Sequence, residues 1–202
     1  LASDFGCGVG KFTLLMAAAF EQVEDCDLAE KGLELARRHF ENVQNVAYRQ
    51  LDLAADEVPY GLVDFGLCVN VLIMPSMDER RRAWRAVTNQ VAQGGTLLLV
   101  IPSAESVQMG YHRSVEGCLG EGDSCSEAQD RVGQDGLTTE DMLQGVYPLD
   151  GLRTKHYLRQ ELKELLSDHE FDVSEIIKIQ YDAENDRADS TSWDWLALGV
   201  RR

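Results

Sequence analysis

The chain has 202 residues, 44% of them hydrophobic, and a net charge of -16 from 35 acidic and 19 basic side chains. That length suits one domain with its own core, while so acidic a surface repels a phosphate backbone and argues against nucleic acid as a partner. No apolar run approaches the roughly 20 residues that cross a bilayer and no basic-headed leader opens the chain, so a cytoplasmic protein with no membrane partner is expected.

In chain order, LASD (1–4) reads as the end of a strand and KFTLLMAAAF (11–20) as a helix with Phe12, Leu15, Met16 and Ala19 on its inner face. VEDCD (23–27) is a second strand, and AEKGLELARRHF (29–40) a helix burying Leu33, Ala36 and Phe40. VAYRQLD (46–52) is a third strand, and LVDFGLCVNVLI (62–73) a fourth, apolar enough to be covered on both faces. Asp78 is placed to cap a helix running to about Val91, with DERRRAWR (78–85) as its wet face and Gly94-Gly95 as its stop. TLLLVIP (96–102) is a fifth strand.

From 103 to 151 the regular alternation gives way to a stretch rich in Gly, Ser, Asp and Glu. It is read as a partly helical insertion, a lid over the sheet edge within a single domain of residues 1–202. LRQELKELLSDHEF (158–171) restores a helix with Leu158, Leu162, Leu165 and Leu166 inward. DVSEIIKIQYDA (172–183) and SWDWLALGVRR (192–202) are two strands joined by the polar ENDRADST, and strands without an intervening helix pair antiparallel. The five cysteines are scattered with no CxxC pair, which suits reduced thiols and no metal.

The glycines Gly6, Gly8 and Gly10 follow the first strand directly and open the first helix. That is where a parallel sheet lets a ligand approach the backbone closely. A dinucleotide fingerprint would need a glycine at position 11, which is Lys, and a phosphate-binding G-x-x-x-x-G-K-[ST] loop fails at Phe12.

DFGCGVG (4–10) resembles the first motif of the class I S-adenosylmethionine-dependent methyltransferases, an acid followed by G-x-G-x-G. DLAEKGLELAR (27–37) resembles the end of that family's second strand, QLDL (50–53) the end of its third, and VAQGGTLLLVIP (91–102) the glycine pair before its fifth. The closing antiparallel pair resembles the family's topological mark. The resemblance covers residues 1–105 and 152–202. It implies an α/β, Rossmann-like, mostly parallel seven-stranded sheet of order 3-2-1-4-5-7-6 with helices on both faces.

The resemblance also implies a site. Gly6, Cys7, Gly8 and Gly10 would lie against the methionine part of S-adenosylmethionine, with Asp4 beneath them fixing the amino group. Asp27 would take the ribose hydroxyls, the lesser alternative being that it merely caps the following helix. Leu28 would pack on adenine, Asp52 and Leu53 would read the adenine edge, and Asn70 would lie near the methionine end or the acceptor.

For the acceptor side, YHR (111–113) and RTKHY (153–157) offer His156 as a base and Tyr157 as a wall. The implied activity is in-line methyl transfer to a small molecule without a metal, leaving S-adenosylhomocysteine. A cofactor-binding module without turnover and a protein methyltransferase are the alternatives. Glu170-Phe171 and Leu158 depart from the family's usual G-F and Ser/Thr cap. The family also places a helical segment before its first strand, and this chain is expected to lack it.

Overall fold

The structure is a computed structural model that describes residues 1–133, 136–149, 151–180 and 192–202. Strands and helices alternate through the first half: β1 (Ala2–Phe5), α1 (Thr13–Ala19), β2 (Val23–Asp27), α2 (Glu30–His39), β3 (Val46–Gln50), β4 (Val63–Val69), α3 (Met77–Gln90) and β5 (Val91–Pro102). Then come α4 (Ala104–Glu121), α5 (Cys125–Val132), α6 (Thr139–Gln144), a small hairpin of β6 (Val146–Leu149) and β7 (Leu152–Lys155), α7 (Arg159–Asp168), β8 (Phe171–Gln180) and β9 (Trp193–Arg201).

Seven strands form one sheet in the order β3-β2-β1-β4-β5-β9-β8. The first five are parallel, and β9 runs antiparallel between β5 and β8. This is the expected order 3-2-1-4-5-7-6 once the two strands of the small hairpin are counted. The polar stretch ENDRADST (184–191), expected to link the last two strands, lies outside the described residues, as do residues 181–183 of the first of those strands.

The period-two burial of the strands divides the core. Phe5, Cys68, Leu97 and Leu99 point toward α3 and α7, where Trp84, Val87, Leu162 and Leu166 meet them. Ala2, Val23 and Leu67 point the other way, onto Met16 of α1. Fully burying a side chain of this size stabilises a fold by about 1.5–3 kcal/mol.

Several local expectations are corrected. In α1 the buried residues are Thr13 and Met16, while Leu15 is 69% exposed. Helix α3 is capped by Ser76, whose hydroxyl accepts from the Glu79 amide, and Asp78 sits within the first turn. No glycine stops α3. Val91 turns directly into β5 with extended backbone, and Gly94-Gly95 fall within that strand's span. Arg80, expected in solvent, is buried and donates to the Met74 and Pro75 carbonyls. His169 is likewise packed rather than solvated, stacked on Trp84 with its Nδ1 3.1 Å from Thr88 Oγ1.

Among its described residues the stretch 103–151 holds three helices and the first strand of the hairpin. Capping boxes at Ser124 and Thr138 start α5 and α6, and left-handed glycines at 122 and 145 end α4 and α6. The segment returns to the sheet as a strap. The Lys155 amide donates to the Ile73 carbonyl, the Tyr157 amide to Pro102, and the Ala104 amide to Tyr157. Residues 155–157 are thereby threaded between the loop after β4 and the end of β5.

Candidate active site

The glycine turn sits at the carboxyl end of β1. Gly6, Gly8 and Gly10 have φ of 82°, 56° and 82°, a region that costs any residue with a Cβ. The amides of Gly6 and Cys7 both donate to the Cys26 carbonyl, which ties the turn to β2. A Cβ on Gly6 would come within 2.1 Å of Val71 Cγ2, whereas one on Gly8 would meet nothing within 4 Å. Gly6 is therefore a packing requirement, and Gly8 leaves open space above the turn.

Asp27 closes the turn from the next strand. Its Oδ2 accepts from the Gly8 amide and its Oδ1 from the Ala29 amide, both at 2.8 Å. Asp27 does not cap α2, whose N-cap is Ala29 with no side-chain cap bond; its bond from the Ala29 amide tightens the turn before the helix, and each oxygen keeps further lone pairs for a ligand. Leu28 beside it is 64% exposed, its side chain without cover. Asp52 accepts from the Ala54 amide while its own amide donates to Asp56, and Leu53 is buried next to it. Asp4, the three glycines, Asp27, Leu28 and Asp52 thus lie toward one end of β1, β2 and β3.

Beneath the turn lies a feature that the sequence reading passed over. Asp4 and Asp25 are opposite one another in the parallel β1–β2 register and are 1% and 0% exposed. Burial first, then the neighbouring Asp25 and Asp27, pushes Asp4 up to about 8. Burial also pushes Asp25 up to about 6, against the lowering effect of its 2.5 Å hydrogen bond from Thr13. The signal was available: an acid at the centre of VEDCD shares its strand face with Val23. The same burial pushes the Cys7 and Cys68 thiols up, so neither is a reactive thiolate.

Asn70 stands at the end of β4 with φ of 56°, its amide donating to Val100. It lines a cavity of about 350 Å³ together with Pro102, Ser103, Val107, His156 and Asp194. His156 is 4% exposed. Its Nδ1 lies 2.9 Å from the Thr154 carbonyl, which can only accept, so that nitrogen carries the hydrogen and Nε2 holds the lone pair. Burial holds the imidazole below its ordinary value, with the Thr154 bond and Asp194 acting in the opposite direction.

Tyr157 does not wall this cavity. It is 1% exposed and turned into the core, donating to the Leu72 carbonyl at 2.5 Å and accepting from Trp84 Nε1 at 3.0 Å. Lys155 lies 4.6 Å from its ring centroid and pairs with Glu161 at 2.6 Å. These contacts anchor the strap on either side of His156. Among the YHR residues, His112 and Arg113 are exposed on α4 and do not line the cavity. Asp194 and Trp193, which do, escaped the sequence reading because only the β5–β9 register, with Asp194 opposite Pro102, brings them there. Among the described residues, no cluster of metal-ligating side chains is present and no helix is long and apolar enough to cross a membrane.

Residues 2–95 match the family model described as a methyltransferase domain. Methyltransferase nsrG of Aspergillus novofumigatus is 30% identical over 92 residues, 45% of this chain and 34% of that protein. The match thus spans about a third of the length of that curated relative. Among solved structures, magnesium protoporphyrin IX methyltransferase from Synechocystis PCC 6803 with bound S-adenosylhomocysteine aligns over 100% of this chain and 74% of its own, with a TM-score of 0.64 at 17% identity. The N-methyltransferase NodS from Bradyrhizobium japonicum, in complex with the same compound, aligns over 99% of this chain and 76% of its own, with a TM-score of 0.66 at 14% identity. At those identities the structural likeness speaks for the fold.

Proposed function

We propose, for a chain that carries the class I S-adenosylmethionine-dependent methyltransferase fold, that it binds S-adenosylmethionine over the glycine turn and methylates a small-molecule acceptor held beside His156. The observation that carries this reading is the turn itself: left-handed glycines fastened by Asp27, with open space where a Cβ on Gly8 would stand. The residues fit the cofactor. Asp27 offers lone pairs to the ribose hydroxyls, Leu28 an uncovered apolar side chain to adenine, and Asp52 with Leu53 the edge of the adenine site. Asp4, buried with one carboxylate oxygen unpartnered, suits a cationic amino group above it. When bound, the cofactor supplies an electrophilic methyl on a sulfonium.

The chain's own part is to orient an acceptor, exclude water and take a proton. His156 enters with Nε2 unprotonated, and that nitrogen takes the proton of an acceptor hydroxyl while Asp194 stabilises the imidazolium that forms. Tyr157 is a positioning residue in this reading, holding the strap that carries His156. The two structural neighbours named above act, by their names, on a porphyrin and at nitrogen, and a compact acceptor suits the 350 Å³ cavity here. The acidic surface repels a phosphate backbone, which supports an acceptor other than nucleic acid.

Calorimetric titration with S-adenosylhomocysteine tests the cofactor site. Micromolar binding weakened by Asp27→Ala, by roughly 1.5–3 kcal/mol for hydrogen bonds to a charged group, supports the reading, and a folded wild type that does not bind ends it. Formation of S-adenosylhomocysteine from S-adenosylmethionine with a panel of hydroxylated and aminated small molecules then tests turnover. Binding without product from any acceptor would make the chain a binding module.

A further inference from the structure

The row Leu67–Asp4–Asp25–Tyr48 crosses β4, β1, β2 and β3 at one level, beneath the glycine turn on the α1 side of the sheet. Three polar atoms in it are buried and unpartnered among the described residues: Asp4 Oδ2, Asp25 Oδ1 and Tyr48 Oη. Adjacent strands are about 4.8 Å apart, so the two carboxyl groups lie side by side in a region closed to water. Resting on the cofactor reading above, we propose that Asp4 and Asp25 share one proton in the free protein and release it when the cationic end of the cofactor docks over the turn. Cofactor binding is then an exchange of a proton for a ligand cation, with Asp25 adding a neighbouring charge to a site already closed to water.

The surroundings of the pair explain why the proton is needed. From the turn, Cys7 feels Asp4, and Cys68 of β4 feels it through the sheet from the opposite face, both as neutral thiols. From β2, Asp27 adds a negative field to Asp4, and Glu24 adds one to Asp25. Cys26 also feels both acids. From α1, Thr13 donates one hydrogen bond to Asp25 Oδ2. From β3 comes Tyr48, a neutral phenol. The cation on that side, Arg37 of α2, is engaged by Glu30 at 2.6 Å and by the Tyr48 carbonyl. No Lys, Arg or His side chain bonds either carboxylate among the described residues. Two adjacent buried carboxylates without a cation cannot both ionise, and they titrate as a pair. An ammonium or sulfonium group arriving above Asp4 supplies the missing positive charge, and the proton leaves to solvent.

The sign follows from linkage. Binding that releases one proton strengthens about tenfold for each pH unit gained below the free pair's upper step, and levels off above it. S-Adenosylhomocysteine, which carries the α-ammonium group, is the probe. Titrating it at pH 7 into protein in phosphate and in Tris, whose heats of ionisation differ, counts the protons released. About one is expected from wild type, with its affinity rising between pH 6 and 8. Asp25→Asn keeps a partner for Thr13 but removes the neighbouring charge, so its release at pH 7 should fall below half of the wild-type value. Binding of the probe without proton release overturns the proposal.

A second measurement needs neither a variant nor the ligand. Infrared spectra of the free wild-type protein should show a buried, protonated carboxyl band at pH 7 that disappears toward pH 9, and its absence would also overturn the shared proton. If the probe binds at no pH while that band is present, the cofactor reading fails and the acid pair stands.

Discussion

The two sides of the site are built in different ways. The cofactor side comes from one continuous piece of chain, residues 4–53, whose strands and turns follow each other in space as in sequence. Its key contacts are mostly backbone to neighbouring strand, such as Gly6 and Cys7 to Cys26 and Gly8 to Asp27. The acceptor side is gathered from distant segments: Asn70 after β4, Pro102 and Ser103 after β5, His156 on the strap, and Asp194 on the last strand. The strap's hydrogen bonds, the bonds from the Asn70 amide to Val100 and from the Trp193 amide to Ser106 Oγ, and the β5–β9 register hold these together. A local turn keeps its geometry through its own dihedrals, whereas an assembled cavity keeps its geometry only while long-range contacts persist.

Substitutions should separate the two sides. The largest effect is expected at His156→Gln, which should lower kcat by about 10²–10⁴-fold while leaving S-adenosylhomocysteine affinity within twofold or so. With wild type, activity should fall as pH drops through the imidazole's value, which burial places below 6.5, so the acidic limb lies under that pH. A limb above it, or a variant that loses cofactor affinity in parallel, would erase the division.

Gly6→Ala should destabilise the protein by roughly 3 kcal/mol, because it adds a left-handed penalty to a clash with Val71. Denaturant unfolding would measure it. Tyr157→Phe should cost roughly 1–3 kcal/mol by leaving the Leu72 carbonyl and the Trp84 indole without their partner. It should lower kcat more than it weakens the cofactor, since it loosens the strap and not the turn.

Gly8→Ala should cost only about 1 kcal/mol of stability yet weaken S-adenosylhomocysteine at least about tenfold, because the new methyl points into open space rather than into protein. A further effect is a slope with pH. The carboxyl of Asp4 is raised from 3.8 to about 8. The stabilisation from keeping its proton is therefore complete below the ordinary carboxylate value and is lost as pH rises through about 8. Unfolding free energy of the free protein should decline across that window by at most about 1.4 kcal/mol per pH unit for one proton. A rise instead would contradict the buried acid pair.

What the sequence disclosed follows the same division. G-x-G-x-G after a strand and Asp27 and Asp52 at strand ends were legible because each depends on neighbours a few positions away, whereas the order of the sheet was implied only by the resemblance to the family. Leu15 was misplaced because four apolar positions of α1 offer two faces, and only the packed sheet chooses between them. Ser76 took the cap in place of Asp78 because the chain enters α3 two residues earlier. The inward turn of Tyr157 and the burial of Arg80 depend on partners far along the chain, Leu72 and Trp84 in one case and the Met74–Pro75 turn in the other. No local pattern announces such partners. Asp25 was visible in its strand, but its meaning required knowing that Asp4 stands opposite.

The threading of residues 155–157 between the loop after β4 and the end of β5 has a consequence for how this protein could diversify. Both ends of the excursion from Ala104 to Lys155 are pinned by main-chain hydrogen bonds at adjacent points of the sheet. Closing a longer flexible loop between fixed ends is thermodynamically mild, about 0.6 kcal/mol for each doubling of length. Lengthening, shortening or exchanging the helices of the excursion therefore leaves the clasp at its base intact. Lineages could acquire new acceptor tastes by rewriting one outlying paragraph of the chain, with the grammar of the cofactor turn untouched.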